Sequence, residues 1–181
     1  MPPISTKFNT LNFKQWIDDN RHLLKPPVGN KQVWMEVEDF IVMVVGGPNE
    51  RTDFHYNETE EFFYQLEGNM VLRLYDKDAG EVVDVPIREG EIFLLPKKVP
   101  HSPQREANSV GLVIERVREE GMTDGLQWYC QNCNAQVYEE YFFMENIMTQ
   151  MQAVFKKFYD SEELRTCPNC GTIHPTPAAK K

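Results

Sequence analysis

Short apolar runs separated by turn residues fill residues 31–118 of the chain. Turns such as Glu67-Gly68-Asn69 and Glu89-Gly90-Glu91 interrupt these runs at short intervals. Many short strands without long helices between them predict an antiparallel sandwich or barrel, and they argue against a parallel α/β sheet. The predicted strands cover residues 33–37, 40–45, 62–66, 70–75, 82–85, 92–95 and 111–116.

Apolar residues at helical spacing mark both ends of the chain. Residues 12–24 predict a short helix, which ends at Lys25-Pro26-Pro27 because proline stops a helix and restricts the residue before it. A loop rich in proline and glycine follows, up to Asn30. Near the other end, a second helix is predicted to pack on the barrel. Its apolar positions are Met148, Met151, Val154, Phe155 and Phe158.

Composition and charge narrow the class of protein. The 181 residues are 41% hydrophobic and 26% charged, which is typical of a globular protein that folds around its own core. A net charge of −9 argues against nucleic-acid binding, which favours a basic surface. We find no apolar run long enough to span a bilayer and no signal-peptide pattern in residues 1–12. We therefore expect a cytoplasmic protein without a membrane partner.

The four cysteines form two pairs, Cys130-x2-Cys133 and Cys167-x2-Cys170. Two such pairs can surround one metal ion with four thiolates, and both iron and zinc accept this tetrahedral sulfur site. A site with all four positions filled has no vacancy for substrate, so we expect a structural role. A zinc ribbon that reads nucleic acid is the alternative. It is disfavoured because residues 130–170 contain six acidic and only three basic residues.

These patterns divide the chain into three parts. Residues 1–30 form an N-terminal helix and loop, and residues 31–120 form the barrel. Residues 121–181 form a metal-binding segment of the rubredoxin type with a helix. Within this last part, residues 121–125 are expected to be a connector and residues 137–144 a strand.

Two histidines and a glutamate carry the strongest chemical signal in the barrel. Iron(II) that must keep positions open for reactants is well held by two imidazoles and one carboxylate. His55 and Glu61 lie near one predicted strand, and His101 follows another, so pairing of these strands brings all three together. The alternative is a solvated acidic surface formed by Glu58, Glu60 and Glu61. The spacing to Gly68 selects Glu61 rather than Glu60 as the ligand.

The spacing of these residues resembles the two motifs of the cupin superfamily, with Asp53 in place of the first histidine. The resemblance implies a double-stranded β-helix, or jelly-roll, barrel. Longer stretches resemble the 3-hydroxyanthranilate 3,4-dioxygenase family from about Phe13 to His174, and the cysteine pairs resemble its bacterial and fungal form. The stretch His101-Ser102-Pro103-Gln104-Arg105 is far more specific than a general cupin motif. The other stretches are Leu23-Leu24-Lys25-Pro26-Pro27-Val28-Gly29-Asn30, Val44-Val45-Gly46-Gly47-Pro48-Asn49, Glu60-Glu61-Phe62-Phe63-Tyr64-Gln65-Leu66, Phe93-Leu94-Leu95-Pro96 and Val113-Ile114-Glu115-Arg116.

The resemblance implies a reaction and an assembly. In this family, 3-hydroxyanthranilate binds catalytic iron(II) through its amino and hydroxyl groups, and O2 takes an adjacent position. Cleavage between carbons 3 and 4 gives 2-amino-3-carboxymuconate semialdehyde, which closes to quinolinate, the precursor of the NAD pyridine ring. A role in NAD biosynthesis and a role in aromatic degradation both stay open. The family also implies a homodimer.

The resemblance further assigns residues around the metal. Arg51 and Arg105 each lie four residues from a metal-binding histidine, and guanidinium groups are the best partners for the carboxylate of the substrate. Glu115 is expected to contact the substrate hydroxyl, although a salt bridge to Arg116 or Arg118 is the alternative. Asp53 is expected to orient a ligand or an arginine. The expected catalytic residues are Arg51, Asp53, Arg105 and Glu115, and the expected substrate-binding residues are Asn30, Arg51, Glu61, Arg105 and Glu115.

Two other functions fit the same sequence less well. A different cupin enzyme, such as another dioxygenase or a sugar isomerase, keeps the fold and the metal but changes the substrate. Arg51 and Arg105 favour an anionic ligand and so discriminate against it. A binding module without catalysis is disfavoured by the intact set of three metal ligands, although fold alone does not decide function.

Overall fold

Two antiparallel sheets enclose the middle of the chain, as predicted. The computed structural model describes residues 10–26, 29–49, 51–143 and 147–176, without the side chains of 147–149. The strands are β1 (Asn30–Gln32), β2 (Phe40–Gly46), β3 (Phe54–Tyr56), β4 (Glu61–Glu67), β5 (Met70–Asp76), β6 (Glu81–Ile87), β7 (Ile92–Leu95), β8 (His101–Arg105), β9 (Val110–Arg116), β10 (Asp124–Tyr129) and β11 (Gln136–Phe142). Their orders are β1-β2-β9-β4-β7 and β11-β10-β3-β8-β5-β6.

The core of the barrel lies between the two sheets. In β4, side chains alternate between buried and half-buried positions, so every second residue points inward. Phe63 of β4 and Leu72 of β5 come from different sheets and meet in one buried cluster. Its other buried members are Met70, Ile87, Leu95 and Val113. This filled space between facing antiparallel sheets confirms the predicted jelly-roll barrel.

The N-terminal helix covers part of the outer face of the five-stranded sheet. Helix α1 (Phe13–Asn20) starts at Asn12, whose side chain accepts a hydrogen bond from the Gln15 N–H, and it leads into a 3₁₀ turn (Arg21–Leu23). Ile17 packs with Val44 of β2 and Val110 of β9. The predicted short helix is therefore confirmed. Pro27 and Val28 of the predicted loop lie outside the described residues.

The second predicted helix packs against the C-terminal strands. Helix α2 (Ile147–Asp160) is followed by a short helix, α3 (Glu162–Arg165). Phe158 of α2 stacks on Trp128 of β10 with ring centroids 4.1 Å apart, and both side chains are fully buried. Val154 belongs to the same cluster. Of the predicted apolar positions, Met148 lies where side chains are not described.

Two sequence predictions, about residues 33–37 and residues 121–125, are wrong. Residues 33–37 do not form a strand, because pairing with β2 ends at Gln32, and Trp34 and Met35 beyond it are exposed. The Val33 N–H still donates to the Val42 carbonyl oxygen, but residues 34–37 form bends and irregular backbone, so the apolar residues there do not mark a strand. The predicted connector is also wrong at its end, since Asp124 and Gly125 begin β10. That strand is buried along its whole length between β3 and β11.

Strands β3 and β8 are short, and the sequence patterns missed them. They carry His55 and His101 of the candidate site, and β3 also contributes the buried Phe54. The predicted strand at 137–144 corresponds to β11, although Met144 lies outside the described residues.

Strand β10 is hydrogen-bonded to β3, so the six-stranded sheet continues across residue 120. The division at 120/121 therefore stays a prediction about sequence segments. No helix within the described ranges is long and apolar enough to cross a membrane.

Truncation of the central core residue tests this packing. Leu72 is fully buried between the sheets, so we expect Leu72→Ala to lower the free energy of unfolding by about 2–5 kcal/mol. Val83→Ala is the control, because Val83 lies on the neighbouring strand β6 but is 39% exposed. It should cost less than about 1 kcal/mol. Denaturant unfolding measures both, and equal losses would contradict the assigned core.

Candidate active site

Three predicted metal ligands meet inside the barrel. The Oε1 atom of Glu61 lies 3.6 Å from His55 Nδ1 and 3.3 Å from His101 Nε2. One potential ligand atom from each residue lies within 4.8 Å of the other two, and all three side chains are buried. Two imidazoles and one carboxylate at this spacing fit a divalent metal ion such as iron.

The sheet geometry explains why distant residues converge. His55 and His101 are direct partners in the pairing of β3 with β8. Glu61 is on β4 of the other sheet, opposite Leu95, and it faces inward in the same alternation that buries Phe63. The expected pairing of the strand at Glu61 with the strand at 92–95 is therefore present. The two sheets contribute ligands from opposite sides of the interior.

Asn57 fixes the carboxylate side of the site. Its Oδ1 accepts hydrogen bonds from both the N–H and the hydroxyl of Thr59, each at 3.0 Å. The Nδ2 group must therefore face the two carboxylates, and it donates to Glu61 Oε1 at 3.1 Å and to Glu115 Oε2 at 3.3 Å. Sequence reasoning missed Asn57. The available signal was its position between His55 and Glu61.

Asp124 and Arg118 are two further residues that sequence reasoning did not place in the site. Asp124 Oδ1 lies 2.7 Å from His55 Nε2, so the carboxylate accepts the hydrogen bond from the ring nitrogen that points away from the triad. Arg118 donates to Asp124 and, through Nη1, to Glu115 at 2.7 Å. Asp124 was missed because it was assigned to a connector. Its only signal was the apolar run that follows it.

The charges in the site shift the pKa values of the buried acids in opposite directions. Burial would raise the pKa of Glu61, but the neighbouring His101 and His55 outweigh it, and the pKa falls below its usual value. Burial likewise lowers the pKa of His101, but Glu61 outweighs it, so the pKa is raised. For Glu115, burial and then the charge of Glu61 raise the pKa. Glu61 is therefore the carboxylate suited to a metal ion, and Glu115 is the one that holds a proton more tightly.

Arg105 is a buried cation, and no carboxylate of the described residues pairs with it. Its Nη1 donates only a long hydrogen bond to Gln65 Oε1, at 3.4 Å, and its buried Nε has no partner within the described part of the chain. Burial, followed by the charge of Arg51, lowers its pKa to about 10, so the group stays charged at neutral pH. Gly111 makes room for it, because a Cβ there would lie 2.4 Å from Nη1.

The other residues predicted for catalysis or substrate binding have different surroundings. Arg51 forms a two-pronged ion pair with Asp53, so its charge is already matched. Glu115 is buried between Asn57 and Arg118, and the ion pair with Arg118 is the alternative partner considered from sequence. Asn30 is exposed on the edge strand β1. Its place beside the substrate stays a prediction.

The four cysteines form a second cluster. All are free of disulfide bonds, and the Sγ atoms of Cys130 and Cys170, and those of Cys133 and Cys167, lie 3.6 Å apart. A tetrahedral ion with zinc–sulfur bonds of about 2.3 Å sets sulfur atoms roughly 3.8 Å apart, which is close to this geometry. The cluster is therefore shaped for one metal ion.

The two cysteine pairs are built alike. The residue after each second cysteine, Asn134 or Gly171, has a positive φ angle, at 56° and 72°, and donates its N–H to the carbonyl of the first cysteine. Asn132 and Asn169 each extend an amide toward a sulfur of the opposite pair, at 3.6 and 3.5 Å. Hydrogen bonding with Thr172 lowers the pKa of Cys170 to about 5, which favours the thiolate form.

A jelly-roll barrel with two histidines and a glutamate gathered between its sheets defines a metal-binding cupin. Comparison with known proteins gives the family. The sequence model of the family described as 3-hydroxyanthranilic acid dioxygenase matches residues 6–159. The chain therefore belongs to the 3-hydroxyanthranilic acid dioxygenase family.

Individual relatives agree with this family. A 3-hydroxyanthranilate 3,4-dioxygenase of Xanthomonas euvesicatoria pv. vesicatoria (strain 85-10) is 58% identical over 167 residues, covering 92% of this chain and 93% of the relative. One of Ruegeria pomeroyi is 55% identical over 170 residues and covers 93% of each chain. Among solved structures, a cupin-2 domain-containing protein of Shewanella frigidimarina is 20% identical, with a TM-score of 0.48, over 62% of this chain and 100% of that chain.

Loss of one cysteine tests the second cluster. We expect Cys133→Ser to lose about one equivalent of bound metal, because a tetrahedral structural site needs all four ligands. Elemental analysis measures the metal, and proteolysis should cut the C-terminal segment faster. The control is Gln131→Ser, which changes a neighbouring residue that offers no ligand atom. Full metal content in Cys133→Ser would contradict the site.

Proposed function

We propose that the protein is a 3-hydroxyanthranilate 3,4-dioxygenase. It opens the ring of 3-hydroxyanthranilate with O2 to give 2-amino-3-carboxymuconate semialdehyde, the precursor of quinolinate and so of the NAD pyridine ring. Membership of the family and the names of the relatives support this reaction. The observation that carries it is a buried, charged Arg105, which has no carboxylate partner among the described residues and lies in the same interior as the two-histidine, one-glutamate triad.

We propose iron(II) as the ion of the triad, held by His55, Glu61 and His101. Their nitrogen and oxygen donors fit iron, and a site with three protein ligands keeps positions free. When bound, iron(II) supplies a centre that can coordinate the amino and hydroxyl groups of an aminophenol together with O2. The remaining chemistry belongs to the side chains around it.

Arg105 is the main anchor for the carboxylate of the substrate. A buried guanidinium with unused N–H groups gains most from a charged, planar partner. Arg51 is already paired with Asp53, so it contributes a second, weaker contact, and Asp53 keeps its guanidinium group oriented. Both arginines together select an anionic aromatic ligand over a neutral one.

Glu115 accepts the proton of the substrate hydroxyl. Its raised pKa makes it a stronger base than an ordinary glutamate, and proton transfer is most efficient when donor and acceptor are matched. Asn57 and Arg118 hold the carboxylate in place from two sides. Asn30 is proposed to contact the substrate from the edge of the sheet.

The remaining assignments concern the second metal, the compartment and the assembly. The cysteine cluster holds iron or zinc in a structural role, since four thiolates satisfy either ion. Four free cysteines suit a reducing compartment, and we place the protein in the cytoplasm. Its partners are then the small-molecule substrate and O2.

An exposed apolar surface supports a homodimer. On the outer face of the five-stranded sheet, Leu94 of β7 pairs with Phe62 of β4, which in turn pairs with Ile114 of β9. Leu94 and Ile92 are 56% and 64% exposed. Contiguous apolar surface of this kind is typical of interfaces between copies. A second copy of the chain is the proposed occupant.

A turnover experiment tests the reaction. The metal-free protein is loaded with iron(II) without oxygen, mixed with 3-hydroxyanthranilate and exposed to air, and the semialdehyde is followed by its near-ultraviolet absorption. We expect prompt product from the unaltered protein, and loss of both iron and product in His55→Ala. Full turnover by His55→Ala would refute the proposed metal site.

The same assay tests the carboxylate anchor. Arg105→Gln should retain iron but lower kcat/KM for 3-hydroxyanthranilate about 10- to 100-fold, because a hydrogen bond to a charged partner contributes free energy of this size. Turnover of 2-aminophenol, which lacks the carboxylate, should change little. The control, Arg88→Gln, removes an exposed guanidinium on the protein surface. Equal losses with both substrates in Arg105→Gln would contradict the assigned contact.

A single charge tests the dimer. Leu94→Glu places a carboxylate in the proposed interface and should give a monomer in analytical ultracentrifugation at micromolar concentration. Val83→Glu is the matched control, because Val83 is an exposed aliphatic residue on the other sheet. A monomeric unaltered protein, or a Leu94→Glu variant that stays dimeric, would count against this interface.

A further inference from the structure

A hydrogen-bonded network of buried charged groups lies behind the metal triad. Asp124 is fully buried, and its Oδ1 accepts hydrogen bonds from His55 Nε2 at 2.7 Å and from Arg118 Nη2 at 2.6 Å. Its Oδ2 accepts a second bond from Arg118 Nε at 2.9 Å. The aspartate is therefore held by a two-pronged guanidinium on one side while it holds a metal ligand on the other.

This hydrogen-bonded network extends to the opposite side of the triad. Arg118 Nη1 donates to Glu115 Oε2 at 2.7 Å. The same oxygen of Glu115 accepts from Asn57, which also donates to Glu61. His55 and Glu61, two ligands from different sheets, are thus the ends of one continuous hydrogen-bonded path.

We propose that Asp124 and Arg118 are positioning residues for the active site. Asp124 holds the ring of His55 so that Nδ1 is turned toward the metal position. Arg118, shared between Asp124 and Glu115, ties the orientation of this metal ligand to that of the carboxylate proposed as the base. The inference deepens the proposed function and rests on it for the role of Glu115.

The geometry of Arg118 explains why arginine is needed. Three of its nitrogens reach four acceptors: both oxygens of Asp124, Glu115 Oε2 and the Arg116 carbonyl oxygen. A planar fork can contact two carboxylates at fixed angles, whereas a lysine ammonium is a point charge on a flexible stem. The side chains of Arg118 and Asp124 are only 6% and 1% exposed, so solvent contributes little screening.

A purely structural ion pair is the competing explanation. Strand β10, which carries Asp124, already has ladders to β3 and β11 and a buried cluster around Trp128. The charges are therefore not needed to hold the strand in the sheet. A hydrogen bond from a metal-binding histidine to a carboxylate, by contrast, typically changes metal affinity by about 10- to 100-fold.

Metal affinity without substrate separates these explanations. The cysteine cluster is first filled with one equivalent of zinc. Cobalt(II) is then titrated into the protein, and the cobalt(II) absorption that is absent from His55→Ala is assigned to the barrel site. We expect Asp124→Asn to weaken cobalt(II) binding about tenfold or more, and Arg118→Gln to weaken it less. The double variant should be no weaker than Asp124→Asn alone, because both residues act along one path. Arg116→Gln is the control, since among the described residues the Arg116 side chain pairs with the exposed Glu119 alone.

The link to Glu115 has its own readout. In the iron-loaded protein, Arg118→Gln should lower kcat by about tenfold or more while KM stays near its original value, because the carboxylate anchor is Arg105. Arg118→Lys keeps the positive charge but not the planar guanidinium group. Compared with Arg118→Gln, it should restore the fold without restoring kcat. Circular dichroism and thermal unfolding establish which variants are folded.

The outcomes decide the proposal. Unchanged cobalt(II) affinity in folded Asp124→Asn, or multiplicative losses in the double variant, would overturn it in favour of a structural pair. If Asp124→Asn does not fold, Arg118→Lys decides: unaltered cobalt(II) affinity and kcat overturn the proposal, and losses in both support it. The titration needs no substrate, so its failure leaves the ring-cleavage proposal intact, and a failed turnover assay leaves the metal-affinity result intact.

Discussion

Charged groups can occupy the interior of this barrel only because nearly all of them are paired. Removing a carboxylate or guanidinium from water costs several kcal/mol unless an opposite charge or several hydrogen bonds replace the solvent. Asp53 is matched by Arg51, and Asp124 by Arg118 and His55. Glu61 lies between two histidines. The site is therefore a set of mutually dependent partners, and loss of one member leaves another uncompensated.

Arg105 is the exception, and it is the group proposed to make the site specific for an anionic ligand. Within the described part of the chain this buried cation has only a long hydrogen bond to Gln65, so an anionic ligand would be stabilised there. The three metal-binding side chains face the same interior. An aromatic ligand that carries a carboxylate at one end and two coordinating groups at the other satisfies both features, which is why the 3-hydroxyanthranilate assignment and the geometry agree.

Strand β10 connects the two parts of the molecule. It begins at Asp124, behind a metal ligand, and ends at Tyr129, directly before the first cysteine of the cluster. Trp128 in the same strand packs on helix α2. The cysteine cluster thus anchors the far end of the strand whose near end orients His55. A metal ion at the cysteines would stabilise the position of that strand without taking part in the reaction.

Much of this molecule follows from local sequence, because some signals depend on near neighbours alone. The short apolar runs between turns, the apolar residues at helical spacing and the Cys-x2-Cys spacing predicted the barrel, the two helices and the second metal site. The motif spacing also identified His55, Glu61 and His101. By contrast, Asp124 and Arg118 carry no spacing signal, since Asp124 contacts a histidine 69 residues away along the chain and Arg118 acts through Asp124. Asn57 had only its position between His55 and Glu61 as a signal. Strands β3 and β8 were missed because they span only three and five residues and carry the site residues His55 and His101, and only strand pairing reveals which polar residues face inward. The sequence therefore determined which ligands and which fold are present, and the tertiary structure decided which charges meet, because pairing between strands, rather than order along the chain, sets the distances between them.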